Sequence, residues 1–169
     1  MDTFESIYEE YFPRVYSFLF RICNNENLAE ELTQETFFRA FRSFHEFRGD
    51  SELFTWLASI AKYTLYSYLR KNRRESDCIN YKLLSDAITD NIEDDPADVI
   101  QKDAVSDAVR RVINRIPEKY HDVVVLRIYA ELPFSEIAEN LKISENSAKV
   151  LFFRAKKMLQ KELDNEHLL

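Results

Sequence analysis

The stretch that decides the fold is PFSEIAENLKISENSAKVLFFRAKKMLQKEL, residues 133–163. Apolar side chains recur in it at helical spacing, over 134–141 and again over 145–163, with a turn of about three residues between the two runs. Ser144 lies where a helix N-cap is expected, because its hydroxyl can accept a hydrogen bond from the first turn. The pattern therefore predicts a helix-turn-helix.

The second helix of this pair has one apolar face and one exposed face. The side chains expected to face the core are Ala148, Leu151, Phe152, Ala155 and Leu159. The opposite face carries Asn146, Val150, Phe153, Arg154, Lys157 and Lys161. Cations on such a face can bind phosphates or guanine edges, and an apolar tip can meet a thymine methyl group. We interpret it as a DNA-reading face, with a solvated basic face as the alternative.

The composition of the 169 residues favours an all-α fold. One glycine and four prolines are too few for a tight-turned β architecture and are typical of helices with short connections. Apolar runs stay short of a membrane span, and the acidic N-terminus does not resemble a secretion signal, so we expect a cytoplasmic protein. Cys23 and Cys78 lack metal-ligand or redox spacing and are interpreted as reduced thiols.

Charge divides the chain more clearly than its total of −7 suggests. The net charge is −6 over residues 1–38, +4 over 39–75, −6 over 76–103 and +1 over 104–169. The acidic segment 76–103 has weak periodicity and predicts a linker. We therefore expect two small helical domains, at 1–75 and 104–169, joined by this linker. Domains of that size bury limited cores, so a large partner would be unsurprising.

Several more helices are predicted outside residues 133–163. The first should run through about 4–22, kinked or interrupted by Pro13. The second should begin at Asn27, with Glu30 completing a capping box, and end near Phe44. The others are expected at about 51–74, 98–116 and 118–130.

The helix predicted at 51–74 pairs cations with aromatic rings. Its expected core side is Leu53, Leu57, Ile60, Thr64 and Tyr68. Its expected outer side carries Thr55, Ser59, Lys62, Tyr63, Tyr66, Arg70 and Arg73, with Trp56 at the edge. Phosphates need charge and unpaired bases need flat surfaces, so this side suits a single nucleic-acid strand. Trp56 suits a place in the core equally well.

The segment just before this helix holds the chain's glycine. It consists of Phe47, Arg48, Gly49, Asp50 and Ser51. Gly49 permits a backbone shape that other residues resist, and Asp50 or Ser51 can cap the helix. Beside an aromatic and basic face, such a loop could hold a base pulled out of the stack. A plain interhelical turn is the alternative.

The helix predicted from Asn27 has an acidic outer face. Glu31, Gln34, Glu35, Phe38 and Arg42 lie together on it. An apolar ring amid carboxylates suits an anchor for a basic partner helix, and an ordinary solvated face is the alternative.

Three of these segments together resemble the extracytoplasmic-function sigma factors of bacterial RNA polymerase. AEELTQETFFRAF (29–41) is similar to the polymerase-binding helix of that family, and FRGDSELFTWLASIAKYTLYSYLRK (47–71) to its promoter-melting loop and −10 helix. The third segment, IPEKYHDVVVLRIYAELPFSEIAENLKISENSAKVLFFRAKKML (116–159), is similar to its −35 helix-turn-helix.

The resemblance implies partners and residue roles. RNA polymerase core would be bound through the β′ clamp coiled coil, by Glu31, Gln34, Glu35 and Phe38, and through the β flap. The −10 element would be bound by the loop 47–51 with Trp56, Lys62, Tyr63, Tyr66 and Arg70. The −35 duplex would be read by residues of the last helix: Asn146, Ser147, Lys149, Val150, Phe153, Arg154 and Lys157. The acidic linker would thread polymerase channels. Members of the family are often held by an anti-sigma factor that can be membrane-bound.

The chain departs from the family pattern at three places. Lys142 stands where the turn usually has glycine, Val150-Leu151 replaces a common Ser-Arg pair, and Glu31 replaces a more frequent aspartate. The loss of that arginine puts a phosphate contact of the −35 helix in question.

Two other classes of protein fit the sequence less well. A self-sufficient helix-turn-helix regulator should be a dimer that binds a palindrome tightly, yet residues 104–169 are nearly neutral. An all-helical enzyme should show a catalytic constellation, but His45, His121 and His167 are scattered, and no metal or cofactor pattern surrounds them.

Overall fold

The computed structural model describes residues 3–72 and 116–165, and every regular element within these two ranges is helical. The first domain contains α1 (Phe4–Cys23), α2 (Glu26–Ser43), a 3-10 turn (Phe44–Glu46) and α3 (Leu53–Asn72). The second contains α4 (Glu118–Val124), a π-helical turn (Val125–Tyr129), α5 (Phe134–Leu141) and α6 (Glu145–Asn165). The all-helical prediction is confirmed. The predicted linker 76–103 and the helix predicted near 98–116 lie outside the described residues.

The first domain packs three helices around one apolar core. Side chains that are no more than 2% exposed come from all three helices: Val15, Phe18, Leu19, Ile22, Ala29, Phe37, Ala40, Phe54, Leu57, Ala58, Ala61 and Leu65. Two threonines of α2 are buried with them. Thr33 donates to the carbonyl of Ala29 at 2.6 Å, and Thr36 donates to that of Leu32 at 2.7 Å. Both hydroxyls are thus satisfied without a solvent contact.

Helix α1 runs unbroken through Pro13, so of the predicted kink or interruption the interruption does not occur. A proline inside a helix removes the hydrogen bond to the carbonyl four residues earlier, which here belongs to Glu9. Both Pro13 and Glu9 lie on the exposed side of α1. Water can therefore bind the released carbonyl, which keeps the cost of the proline low enough for the helix to continue.

The N-cap of α2 is Asn25 and not Asn27, which corrects the sequence prediction. Asn25 has extended backbone (φ −143°, ψ 114°), and its Oδ1 accepts from the backbone N–H of Leu28 at 3.0 Å. Asn27 already lies within the first turn. Because α2 begins earlier than predicted, the expected capping box between Asn27 and Glu30 does not form.

The buried side of α3 is also different from the predicted one. Of the residues expected to form the core side, Leu57 and Thr64 are buried, whereas Leu53, Ile60 and Tyr68 are only partly so. The observed core of α3 is Phe54, Leu57, Ala58, Ala61, Leu65 and Leu69. The two alanines let α3 approach its neighbours closely, which turns the helix relative to the side that its larger residues suggested.

In the second domain, the chain continues from α4 into a turn that is wider than an α-helical turn. Instead of one α-helix over 118–130, α4 ends at Val124 and passes into the π-helical turn. The N–H of Ala130 bonds the carbonyl of Val125, five residues back, at 3.3 Å. Glu131 then adopts a positive φ of 56°, which turns the chain towards Pro133 and α5.

The helix-turn-helix prediction is confirmed almost to the residue. Lys142 has φ 56° and ψ 46° in the left-handed region, the place of the family's glycine. The N–H of Ile143 bonds the carbonyl of Ala138 at 3.0 Å, which closes the end of α5 as in a Schellman motif. Ser144 caps α6 as expected, since its Oγ accepts from the N–H of Ser147 at 3.0 Å.

Replacing the cap of α2 should separate the two asparagines. We expect Asn25→Ala to lower the free energy of unfolding by about 1 kcal/mol, because the N–H of Leu28 loses its partner. Asn27→Ala is the matched control and should change it by much less. Chemical denaturation measures both, and an equal loss in the two variants would contradict the assignment.

The left-handed lysine offers a second test of local conformation. Lys142→Gly should raise the free energy of unfolding by about 0.5–1 kcal/mol, because glycine adopts this conformation without a Cβ penalty. Lys142→Ala removes the same charge but keeps the penalty, so it should bring no gain. A similar gain in both variants would point to charge and would refute backbone strain as the cause.

Candidate nucleic-acid interface

The outer face of α6 presents every residue that the sequence assigned to it. Asn146, Ser147, Lys149, Val150, Phe153, Arg154 and Lys157 are all exposed. The opposite side holds Ala148, Ala155 and Leu159 in the core. Phe153 is 55% exposed although its ring lies 5.8 Å from that of the half-buried Phe152. The face is thus a row of cations around two exposed apolar tips, Val150 and Phe153.

The outer face of α2 also has the predicted arrangement. Glu31, Gln34 and Glu35 are exposed, and Phe38 among them is 57% exposed. Glu35 Oε1 lies 2.8 Å from Arg39 Nε one turn later, which fixes one carboxylate at the edge of the face. An exposed aromatic ring beside carboxylates is the arrangement that a basic, partly apolar helix would cover.

A shallow groove beside this face brings in residues that the sequence reasoning missed. It has a volume of about 540 Å³ and runs between α2 and α3. Besides the four predicted residues, its lining includes Arg39, Ser67, Tyr68 and Lys71. Tyr68 was predicted to be core, but it is only half-buried and lines the groove. The spacing of 64, 67, 68 and 71 on α3 was the available signal, since these positions share one side of a helix.

The loop before α3 keeps its predicted exposure. Arg48, Gly49 and Asp50 are exposed, and Gly49 has φ +76°. A Cβ built on Gly49 would meet nothing within 4 Å, so conformation rather than space calls for glycine there. The half-buried Trp56 packs against Phe44 and Phe47, with ring centroids 6.2 and 5.0 Å away. Trp56 therefore supports the loop while keeping part of its ring at the surface.

Part of the aromatic and basic side of α3 is open to solvent. Tyr63 is 57% exposed, and Arg70 is exposed as well. The guanidinium carbon of Arg39 lies 5.2 Å from the centre of the Tyr63 ring. A small cleft between α2 and α3 is lined by Arg39, Arg42 and Tyr63. The sequence reasoning left out Arg39, because it faces α3 from a different helix.

The prediction that Tyr66 and Lys62 are open to solvent is wrong for this conformation. The hydroxyl of Tyr66 donates to Asp122 Oδ1 at 3.1 Å and lies 3.0 Å from His121 Nδ1. Burial, with Asp122 close by, raises the pKa of Tyr66 well above its usual range, so its phenol stays protonated. Lys62 Nζ lies 3.6 Å from Asp122 Oδ2, and the lysine side chain is 12% exposed. Both residues face α4 of the second domain.

Thr55, placed on the same outer side, is covered by the second domain too. It is 1% exposed, and its Oγ1 donates to Glu136 Oε2 of α5 at 2.6 Å. Helical periodicity separates the polar side of α3 from its apolar side, but it does not reveal that another domain covers the polar one. That is why the sequence placed all three residues in solvent.

Residues 3–72 and 116–165 contain neither a cluster of metal ligands nor a membrane-spanning helix. Within those ranges no three His, Cys, Asp or Glu side chains come together to hold a metal ion. No helix there is long and apolar enough to cross a bilayer.

Comparisons with known proteins match both domains. The model of Sigma-70 region 2 matches residues 7–75, and the model of Sigma-70 region 4 matches residues 106–159. The chain belongs to the extracytoplasmic-function group of the sigma-70 family. It is therefore a sigma factor that recognises promoters with RNA polymerase, and not an enzyme.

Related sigma factors match this chain over nearly its whole length. The chain is 27% identical to the RNA polymerase sigma factor YlaC of Bacillus subtilis, over 96% of this chain and 92% of that protein. It is 29% identical to the ECF RNA polymerase sigma factor SigM of the same organism, over 94% of this chain and 93% of that one. Among solved structures, RpoE of Bartonella quintana, crystallised with the anti-sigma factor NepR, has the same fold. The TM-score is 0.54, the identity 19%, and the coverage 95% of this chain and 96% of that one.

Proposed function

We propose that this sigma factor divides promoter recognition among three surfaces. The α2 face would bind the β′ clamp coiled coil of the polymerase, the α3 side with the loop 47–51 would bind the −10 element, and the α6 face would read the −35 duplex. The observation that carries the proposal is the exposure of separate acidic-aromatic and basic-aromatic faces within the regions that the two family models match. Sites with such different charge suit different partners.

Charge makes the recognition conditional on polymerase. The net charge is +1 over residues 104–169, so counterion release contributes little to DNA binding by the free protein. Residues 1–38, which include most of α2, carry a net charge of −6 and favour a basic protein surface. Polymerase binding would hold the modest basic faces next to the promoter, which supplies the affinity that they lack alone.

The −10 surface would extend beyond the predicted residues to Arg39 and Arg42. These arginines border the cleft under Tyr63, whose ring offers a flat surface for an unpaired base. A cation over the ring fixes its orientation and adds a phosphate contact. The exposed loop around Gly49 would receive a base turned out of the stack.

We further propose that the sigma factor works in the cytoplasm and is held by an anti-sigma factor when it is not needed. Support for such a partner comes from the similar RpoE fold, which is seen in complex with one. An anti-sigma factor could cover the groove between α2 and α3, because Phe38 leaves apolar surface exposed there. Whether that partner is anchored in a membrane would follow from its own sequence.

Transcription with purified core polymerase tests the function directly. A promoter library that varies the −35 and −10 elements should yield new promoter-specific transcripts only when this protein is added. The opposite result has two parts: no added transcript, and tight binding of the free protein to a palindrome. Together they would establish a self-sufficient regulator instead.

The aromatic anchor of α2 has a matched control on the same helix. Phe38→Ala should weaken binding to core polymerase about tenfold or more, because a buried aromatic anchor contributes about 1.5–3 kcal/mol. Phe41 is similarly exposed, at 63%, but its ring packs 5.1 Å from that of Phe4 on α1. Phe41→Ala should leave core binding unchanged. Fluorescence binding titrations measure both, and equal effects would refute the assignment of the face.

The apolar tip of α6 should be needed for −35 recognition. Phe153→Ala should reduce transcription from promoters with a matched −35 element by about tenfold, because a base contact of this kind contributes about 1–3 kcal/mol. Met158 on the same helix is 36% exposed and is not among the residues proposed to read the element. Met158→Ala should keep full activity. If the loss with Phe153→Ala persists on promoters whose −35 element is scrambled, the residue does not read that element.

A further inference from the structure

The second domain covers part of one of the three proposed surfaces and leaves the other two open. The covered surface is the outer side of α3, which holds Lys62 and Tyr66. The α2 face around Phe38 and the α6 face around Phe153 keep 57% and 55% exposure of their central rings. The contact between the domains therefore falls on residues of the proposed −10 surface.

Asp122 lies at the centre of this contact. Its Oδ2 is 3.6 Å from Lys62 Nζ, and its Oδ1 accepts from the hydroxyl of Tyr66 at 3.1 Å. The side chains of Lys62 and Asp122 are only 12% and 17% exposed. A carboxylate is an anionic acceptor like a phosphate, so Asp122 satisfies the same two donors that a strand phosphate would use. The two anions cannot occupy this place together.

Two further sets of polar contacts hold the domains in the same position. On α5, Glu136 accepts from the Thr55 hydroxyl at 2.6 Å, and Asn140 Nδ2 donates to the Thr55 carbonyl at 3.1 Å. On the other side, Arg21 of α1 donates to the carbonyl of Tyr129 at 3.2 Å and lies 3.0 Å from Glu131 Oε2. Tyr129 and Glu131 stand at the end of the π-helical turn, so its wider geometry presents both acceptors to Arg21.

We propose that the free sigma factor adopts a closed state in which the Asp122 carboxylate occupies the place of a −10 strand phosphate at Lys62 and Tyr66. The proposal rests on the proposed −10 role of α3. The closed state excludes the strand but leaves the α2 face open, so polymerase can bind before the domains separate. The apparent affinity of the free protein for single-stranded DNA is reduced by the fraction of molecules that are open.

The first test removes the mimicking charges and measures DNA binding by the full chain. The open variant combines Asp122→Asn with Glu136→Gln. The control combines Glu139→Gln with Asp164→Asn, two exposed residues of the same domain, and changes the net charge equally. The probe is a fluorescein-labelled single strand of mixed sequence, about 20 nucleotides long. We expect the open variant to bind it about tenfold more tightly than the control. Equal affinities would overturn the proposal.

The second test measures the conformation and does not depend on DNA. Small-angle X-ray scattering should give a larger radius of gyration for Lys62→Glu and for Asp122→Lys than for the original chain. The double variant restores an opposite-charge pair and should return to the compact value. Circular dichroism checks that each variant keeps its helices. A compact radius in both single variants would show that this ion pair does not hold the domains together, and would refute the closed state as proposed.

A third measurement separates this inference from the proposed function. The open variant should bind core polymerase as tightly as the original chain, because the α2 face is untouched. Failure of both proteins to bind core would refute the proposed function, while the scattering result would still decide whether the chain closes on itself. Weaker core binding by the open variant alone would show that polymerase needs the closed state, which contradicts the proposed order of events.

Discussion

Helix α3 carries the constraint on which the rest of the structure depends. One side of it, with Leu57, Ala61 and Leu65, completes the core of the first domain. Another side meets the second domain through Lys62 and Tyr66. A helix has a limited circumference, so what remains for a nucleic acid is the sector between them, around Tyr63. Folding, the domain contact and the proposed −10 binding thus all involve one helix of 20 residues.

Local patterns predicted the all-helical fold and the exposure of the outer faces of α2 and α6. The helix-turn-helix, the cap at Ser144 and the exposed face of α6 all follow from residues close in sequence, so periodicity and capping suffice. The prediction of the α2 cap was wrong because Asn25 and Asn27 offer the same side chain. Asn25 is the cap because its backbone is extended, whereas Asn27 lies within the helix. The predicted exposure of Tyr66 was wrong for a different reason. Its partners His121 and Asp122 are more than 50 residues away in sequence, and no local pattern records such a contact.

The carboxylates of the two domains face in different directions. The excess of carboxylates on α2 faces outward, where a basic protein can meet it. Carboxylates of the second domain, by contrast, turn inward onto the first domain at Lys62, Thr55 and Arg21. The second domain is nearly neutral, with a net charge of +1 over residues 104–169. Some of its negative charge is placed where it contacts the cationic side of α3.

The π-helical turn at Val125–Tyr129 sets the rotation of the following helices relative to α4. It thereby sets the direction in which the outer face of α6 points relative to Asp122. Such a turn contains one residue more than an α-helical turn closed at the same place. Losing or gaining a single residue there would rotate everything that follows by about 100° relative to α4. Asp122 and the recognition face of α6 would then no longer point in their present relative directions. If α6 reads the −35 element as proposed, the length of this short segment contributes to specificity together with the side chains that touch DNA.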